Sequence, residues 1–584
     1  MLSLSEKSSR VSSVRTRRSP TFVCGALIAA ILLSIQISGY LPVFWVFFGQ
    51  QLSVKGSCPQ VDALLPTQNA HVWERTRAQM ATGVFKARAV DWLAGAVRIP
   101  TESYDNMQAV GVDPRWDVFA DFHAYLAGAF PLVHERLTLR KINTYGLWYE
   151  WTGSDAALQP VLLAAHQDVV PVEPSTVSQW AYPPYSGYFD GHRIWGRGSS
   201  DDKNGLIGVL SAVEVLLENG FAPTRTVVLA LGFDEEVSGL EGAGELAKAL
   251  LETYGADAFA FVVDEGAGMV ETFGIVAAFP GVAEKGYLDV VVRVAAPGGH
   301  SSVPPDHTSI GILAALLVEY EENPYALQLS RESTPYHTFQ CIAEYGLTVP
   351  AAVKRIVADS ATSDTALRAL EGILGKDPLY RSQIGTTTAV DVVHGGVKSN
   401  ALPEQAYAVV NHRILAESSV GAVKEHDTAL LLLLATRFNL TYTAFGVPIS
   451  SEAGAPARGA LALGEMYALE PAPVTLTAGA EARAYRLLSG SIKATYDTRV
   501  GADAGGETVA VVPSTMSGNT DTRYYWGLSR HIFRYGHGNS AGVGPDEMLN
   551  GIHTVNESIV ADDFVEIVRF YVTLVLNADE AGGL

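Results

Sequence analysis

Acidic residues and histidines gather at the ends of short apolar runs in this chain. VLLAAH (Val161–His166) runs into Gln167-Asp168, and WGRGSSDDKNG places Asp201 and Asp202 at the start of a helical pattern. TVVLALGF (Thr226–Phe233) runs into Asp234-Glu235-Glu236, and FAFVV (Phe259–Val263) into Asp264-Glu265. Much later, GIHTVNE carries His553. Taken singly, each has a structural reading. A His after a strand is more often packed or on the surface. An Asp pair commonly caps a helix, and a Glu pair can be a solvated turn. Three strand ends that all carry acid or His do not form a solubility pattern. Carboxylates packed together repel, and some must take up protons unless a cation neutralises them. Imidazole and carboxylate donors together suit zinc. Two such ions can clamp a carbonyl oxygen and a water between them. One carboxylate must stay free as a base, and the Glu235-Glu236 pair offers both a base and a ligand.

The elements that would position these groups alternate. The three apolar runs read as buried strands, and Lys203–Gly220 and Gly242–Gly255 read as helices ending in Gly. That order predicts an α/β layer around a mostly parallel sheet, whose strand carboxyl ends share one crevice. Near Lys285 the texture changes. YLDVVVRVAA (Tyr287–Ala296) and QAYAVVNHRIL (Gln405–Leu415) alternate polar and apolar residues, with helical patterns at 310–321 and 420–438. This predicts an inserted two-layer α+β domain with a half-exposed antiparallel sheet. The expected organisation is a tail at 1–21, a membrane helix at 22–48 and a polar stalk at 49–85. Catalytic segments then follow at 86–285 and 448–584, on either side of a lid at 286–447. Residues 449–480, rich in Ala, Gly and Pro, read as a surface insertion. LLLLLATRF (Leu430–Phe438) is too short to span a membrane and reads as a buried helix turn.

The chain has 584 residues, 48% hydrophobic and 18% charged, as a multi-domain globular protein would. A net charge of −21 excludes nucleic acid as a partner, because phosphate binding needs a basic face. Phe22–Phe48 holds no charged side chain and follows Arg10, Arg15, Arg17 and Arg18. It is long enough to span the hydrocarbon core, with its basic flank in the cytosol, which places the bulk of the chain in a lumen. Cys58 and Cys341 would both lie there, and their pairing stays open. Asn439-Leu-Thr441 and Asn556-Glu-Ser558 are glycosylation sequons.

His166-x-Asp168, GRGSSDDK, DEE, VDEG, GGHSS and HTVNE, in that order, resemble the M20 metallopeptidases. Among these the chain is most similar to the membrane-anchored carboxypeptidase S branch, with N-acyl amino acid hydrolases next. The resemblance covers about residues 85–584. It implies an α/β zinc-hydrolase fold with an inserted lid and two zinc ions per subunit. His166, Asp201 and Asp264 would hold one ion, and Asp201, Glu236 and His553 the other. Glu235 would be the general base and Asp168 would orient His166. His300 would stabilise an oxyanion, from its own chain or from a second copy in a homodimer. Asn400, Arg413 and Arg523 would contact substrate, a short peptide or an N-acyl amino acid. A cis Asp201–Asp202 peptide and a vacuolar lumen are also implied. A binding protein on the same fold is the reading from another class. The complete set of ligands and base opposes it.

Overall fold

A computed structural model describes residues 56–450, 457–499, 509–538 and 551–584, within a unit spanning Ser53–Leu584. The apolar run Phe22–Phe48 lies outside the described residues. Among the described residues no helix is long and apolar enough to cross a membrane.

The larger sheet has eight strands. Their order is Thr138–Ile142, Gly146–Trp151, Val227–Gly232, Val161–His166, Phe261–Asp264, Ile532–Arg534, Gly281–Glu284 and Ser514–Met516. The middle four are mutually parallel, while the Gly146–Trp151 and Gly281–Glu284 neighbours run antiparallel to them. The sheet is therefore mixed, with a parallel heart. Every residue of the strands Val227–Gly232, Val161–His166 and Phe261–Asp264 is buried, because helices cover both faces. Val161, Leu163 and Ala165 pack toward the helices Lys203–Glu218, Arg483–Asp497 and Ala561–Glu580. Leu162 and Ala164 pack toward Ala243–Tyr254 on the other face. Parallel register, with His166 opposite Gly232, brings the strand ends to one edge.

The second sheet has six strands, in the order Thr387–Gly395, Gln405–Ile414, Gly286–Ala295, Gly459–Leu469, Leu440–Ala444 and Val447–Pro448. Leu288, Val290, Val292 and Val294 are buried against the helices Ser309–Glu322 and Val420–Arg437, as their alternation predicts. Thr308 and Ser419 cap these helices, each hydroxyl accepting a backbone N–H two residues into the helix. The chain enters this sheet at Glu284–Gly286. It leaves at Leu469–Ala472, where the Ala472 N–H donates to the Glu284 carbonyl (3.1 Å).

Three expectations are corrected. Residues 449–480 are not a surface insertion, because Gly459–Leu469 is an interior strand between Gly286–Ala295 and Leu440–Ala444. Its small residues hide the alternation that buries Leu461 and Leu463. The polar stalk does not reach residue 85. Ala70–Met80 is a helix that buries Val72, Trp73, Thr76 and Met80, although its exposed face is charged. The Leu430–Phe438 run is not a buried turn either, since Leu431 is buried but Leu433 is 81% exposed.

Two features carry no signal in the sequence pattern. Helices Thr334–Tyr345, Ala351–Ser360, Asp364–Leu374 and Pro378–Gln383 form an insert with its own apolar core. Residues 56–69 form a strap. Cys58 is disulfide-bonded to Cys341 of that insert, and Glu344 accepts the Gly56 and Cys58 N–H groups (2.7 and 2.8 Å). Further along, Gln60 exchanges two hydrogen bonds with the backbone of Val511 (2.8 and 2.9 Å). Glu580 then accepts from Thr67 and Asn69.

Candidate metal centre

Each group of the candidate centre is delivered by the end of a strand or the loop beyond it. His166 closes its strand, is almost fully buried, and sets Nδ1 3.0 Å from the Asp168 carbonyl and 3.3 Å from Asp168 Oδ1. Asp168 is buried and accepts from Ser103 Oγ (2.6 Å) and from the N–H groups of Glu235 and Glu236 (3.1 Å each). One carboxylate thus orients the imidazole and ties down the Glu235-Glu236 turn. His166 Nε2 lies 3.1 Å from Asp201 Oδ1 and 3.7 Å from Glu265 Oε1. His553 Nε2 lies 3.1 Å from Asp201 Oδ2 and 3.2 Å from Glu236 Oε2. Asp201 therefore faces both histidines with different oxygens. The Asp201–Asp202 peptide is cis. Asp202 stands at the start of Lys203–Glu218 without a side-chain capping bond, so that helix does not explain the acidic pair.

Two sets of donor atoms lie within 4.8 Å of one another: His166 with Glu235 and Glu265, and His166 with Asp201 and Glu236. Asp264 belongs to neither set. It is the buried last residue of its strand, where Oδ1 accepts the Glu265 N–H and Oδ2 has no hydrogen-bond partner. Glu265, one residue past the strand, presents its carboxylate to His166.

The donor set fits divalent ions. Burial, then the charge of Glu265, pushes the Glu235 carboxyl well above its ordinary range, and burial does the same to Glu265 and raises Glu236. Asp201 goes the other way. Burial opposes its charge, but hydrogen bonds from His166 and His553 hold it below the usual carboxylate range. Bonds to Asp201 and Glu236 raise His553 to about 10. Glu236 Oε1 is buried without a hydrogen-bond partner. Among the described residues, Arg523 supplies the single permanent positive charge within 4.0 Å of these carboxylates, opposite Glu235. Lys203 points away and donates to the carbonyls of Ala96 and Ile99. A cluster so rich in buried carboxylates calls for cations, and histidine with carboxylate oxygen suits zinc.

The remaining expected residues fall into two places. Arg413 donates to Asn519 Oδ1 (2.8 Å), and its guanidinium sits 5.6 Å from the centre of the Tyr287 ring. The Tyr287 hydroxyl accepts from Arg523 (3.5 Å), so the two arginines flank one tyrosine beside Glu235. His300 and Asn400 stand apart. Both are exposed, His300 in the short pairing of Gly299–His300 with Ala401–Leu402 and Asn400 just before it, and His300 Nδ1 accepts from Ser302. Among the described residues neither has a hydrogen bond or ion pair with the carboxylate cluster. Asn556 Oδ1 accepts the Ala181 N–H (2.6 Å), so that sequon's side chain is engaged.

Sequence reasoning missed Glu265, Tyr287 and Asp521. Glu265 was visible as the neighbour of Asp264. Asp521, in the same GNTDTRYYW stretch as Arg523, is buried with neither carboxylate oxygen partnered. It packs where a Cβ on Gly232 or Gly239 would collide with it.

The family model described as peptidase family M20/M25/M40 matches residues 162–577. Carboxypeptidase S of Saccharomyces cerevisiae is 37% identical over 504 residues, 85% of each chain. The N-fatty-acyl-amino acid synthase/hydrolase PM20D1 of Mus musculus is 30% identical over 494 residues, 83% of this chain and 87% of that one. Among solved structures, the di-peptidase Dug1p of Saccharomyces cerevisiae aligns with a TM-score of 0.57 at 12% identity, covering 87% of this chain and 99% of that one. The M20 metallo-carboxypeptidase Sso-CP2 of Sulfolobus solfataricus aligns with a TM-score of 0.53 at 17% identity, covering 83% and 98%. The chain belongs to the M20/M25/M40 peptidase family.

Proposed function

We propose that the protein is a two-zinc carboxypeptidase that releases the C-terminal residue of short peptides. The observation that carries this reading is the pairing of Arg523 with Glu235 at 4.0 Å. It sets a carboxylate-binding cation beside a base, so the scissile bond lies one residue from a free substrate carboxylate. Arg413 and Tyr287 complete that subsite. His166 and Asp201 would hold one ion together with Asp264 or its neighbour Glu265, and Asp201, Glu236 and His553 the other. When bound, the ions supply Lewis-acid polarisation of the carbonyl and make water more acidic.

Glu235 stays unligated, takes the proton of the attacking water and hands it to the leaving amine. Asp168 keeps His166 in one orientation throughout. His300 meets the developing oxyanion only after the lid closes or from a second copy, since in its own chain it is solvent-exposed. The proposed setting is the vacuolar lumen, with the chain anchored through Phe22–Phe48. The Cys58–Cys341 disulfide supports an oxidising compartment.

The relatives that act on N-fatty-acyl amino acids support a second reading, because their substrates also carry a carboxylate beside an amide. The test is leucine release from an N-blocked Gly-Leu dipeptide by residues 49–584, beside Glu235→Gln. The wild type should be active. The variant should lose about 10²–10⁴-fold in kcat while retaining zinc. Cleavage of an N-fatty-acyl amino acid alone would replace the peptidase reading. No turnover of either substrate with zinc bound would leave the binding-protein reading.

A further inference from the structure

We infer that Glu557 is a positioning residue that fixes the distance between the two ligand loops and thereby the second metal position. This rests on the two-metal reading. Glu557 is fully buried four residues beyond His553. Its Oε2 takes the Arg197 guanidinium at 2.6 Å. Its Oε1 accepts the N–H groups of Ser200 (2.9 Å) and Asp201 (3.2 Å). One carboxylate on the His553 loop thus grips the backbone of the residue that faces both histidines. Arg197 is held on its far side over Trp180, 5.5 Å from the ring centre.

The loop needs this grip. The His553 side chain is 54% exposed, so its own packing does not hold Nε2 at 3.1 Å from Asp201 and 3.2 Å from Glu236. His553 and Asn556 both adopt left-handed backbone conformations (φ 59° and 65°). Non-glycine residues keep these only where their surroundings impose them. Gly551 closes the same turn, where a Cβ would come within 2.8 Å of the Glu557 nitrogen. Among the described residues the backbone links between the loops act at or beyond residue 557, and the Asn556 side chain takes the Ala181 N–H outside them. Those at or beyond 557 include Gly196 N–H to the Glu557 carbonyl (2.9 Å), Ser200 Oγ to the Ser558 carbonyl (3.2 Å), and the Ser558–Val560 strand pairing. Among the described residues Glu557 is thus the side chain of this loop that accepts the Asp201 backbone N–H.

The experiment titrates apoprotein with zinc against a chromophoric chelator, with thermal unfolding of each apo form measured alongside. Glu557→Gln removes the charge. Glu557→Asp keeps the charge that Arg197 needs but shortens the reach to Ser200 and Asp201, and serves if the glutamine variant fails to fold. Asp427→Asn is the control, a fully buried carboxylate of the lid that touches no ligand loop. The wild type should bind two zinc ions. The Glu557 variants should keep one at near wild-type affinity and hold the other about 10–100-fold more weakly. Asp427→Asn should lower the unfolding temperature with both affinities unchanged. Wild-type zinc binding in both Glu557 variants overturns the inference, as does a loss of zinc that Asp427→Asn reproduces. A wild type that takes up no zinc overturns the metal reading, and the clamp with it.

Discussion

Two buried imidazoles are driven in opposite directions by their neighbours. His166 loses water, which opposes its charge, but Glu265, Asp168 and Asp201 outweigh that and raise its pKa well above the ordinary value. Among the described residues His537 has no such partners. Burial, then the charge of Arg569, lowers it to about 3. Its ring stacks on Phe570 at 4.8 Å, and Nδ1 meets the Tyr535 hydroxyl. The unfolded chain binds a proton on this imidazole below about 6.5, whereas the folded one does so only near 3. Its stabilising contribution is complete above the unfolded value and is lost as pH falls toward 3. Between pH 7 and 5 the stability gap between wild type and His537→Gln should narrow by about 2 kcal/mol. Urea unfolding at both pH values reads it, and a constant gap would mean that His537 does not titrate this way. The ligand residues show how far a sequence can be read at this scale. His166, Asp201, Glu236 and His553, which the family resemblance names as ligands, come together because each follows a strand or opens a turn. Asp264 and Glu265 could not be told apart, because their directions depend on where hydrogen bonding in the strand stops.

Strand periodicity tells which segments alternate, but it depends on side chains large enough to register. Leu288, Val290, Val292 and Val294 announce their strand. Leu461 and Leu463 stand among Ala and Gly, and the strand they belong to looked like a loop. The packing decides otherwise, since both are buried at 3% exposure or less in the lid core. Leu463→Ala should therefore lower stability by about 2–5 kcal/mol in chemical denaturation, as for a buried core leucine. A change within about 0.5 kcal/mol is what a surface loop would give. The helical insert was illegible for another reason. Its four short amphipathic helices pack chiefly on each other, so no long apolar stripe marks where they dock.

At the scale of the whole molecule, the strap at 56–69 connects the insert to the helices under the main sheet. Cys58 and Cys341 are 283 residues apart, and no local pattern could have paired them. A cross-link closing so long a loop constrains the unfolded chain strongly. Cys341→Ser should cost about 2–5 kcal/mol, read as a lower unfolding midpoint without reductant. An unchanged midpoint would mean that the bond does not form in solution. The bond also decides where load enters the fold. Tension applied ahead of Gly56 first meets the two N–H bonds to Glu344 and then passes through sulfur into Thr334–Tyr345. Residues 59–69 go slack and cannot be peeled away from that end. In a pulling experiment between the chain ends, the 283-residue loop stays hidden from the stretched contour. Reductant would release it as one added length of about 1,000 Å.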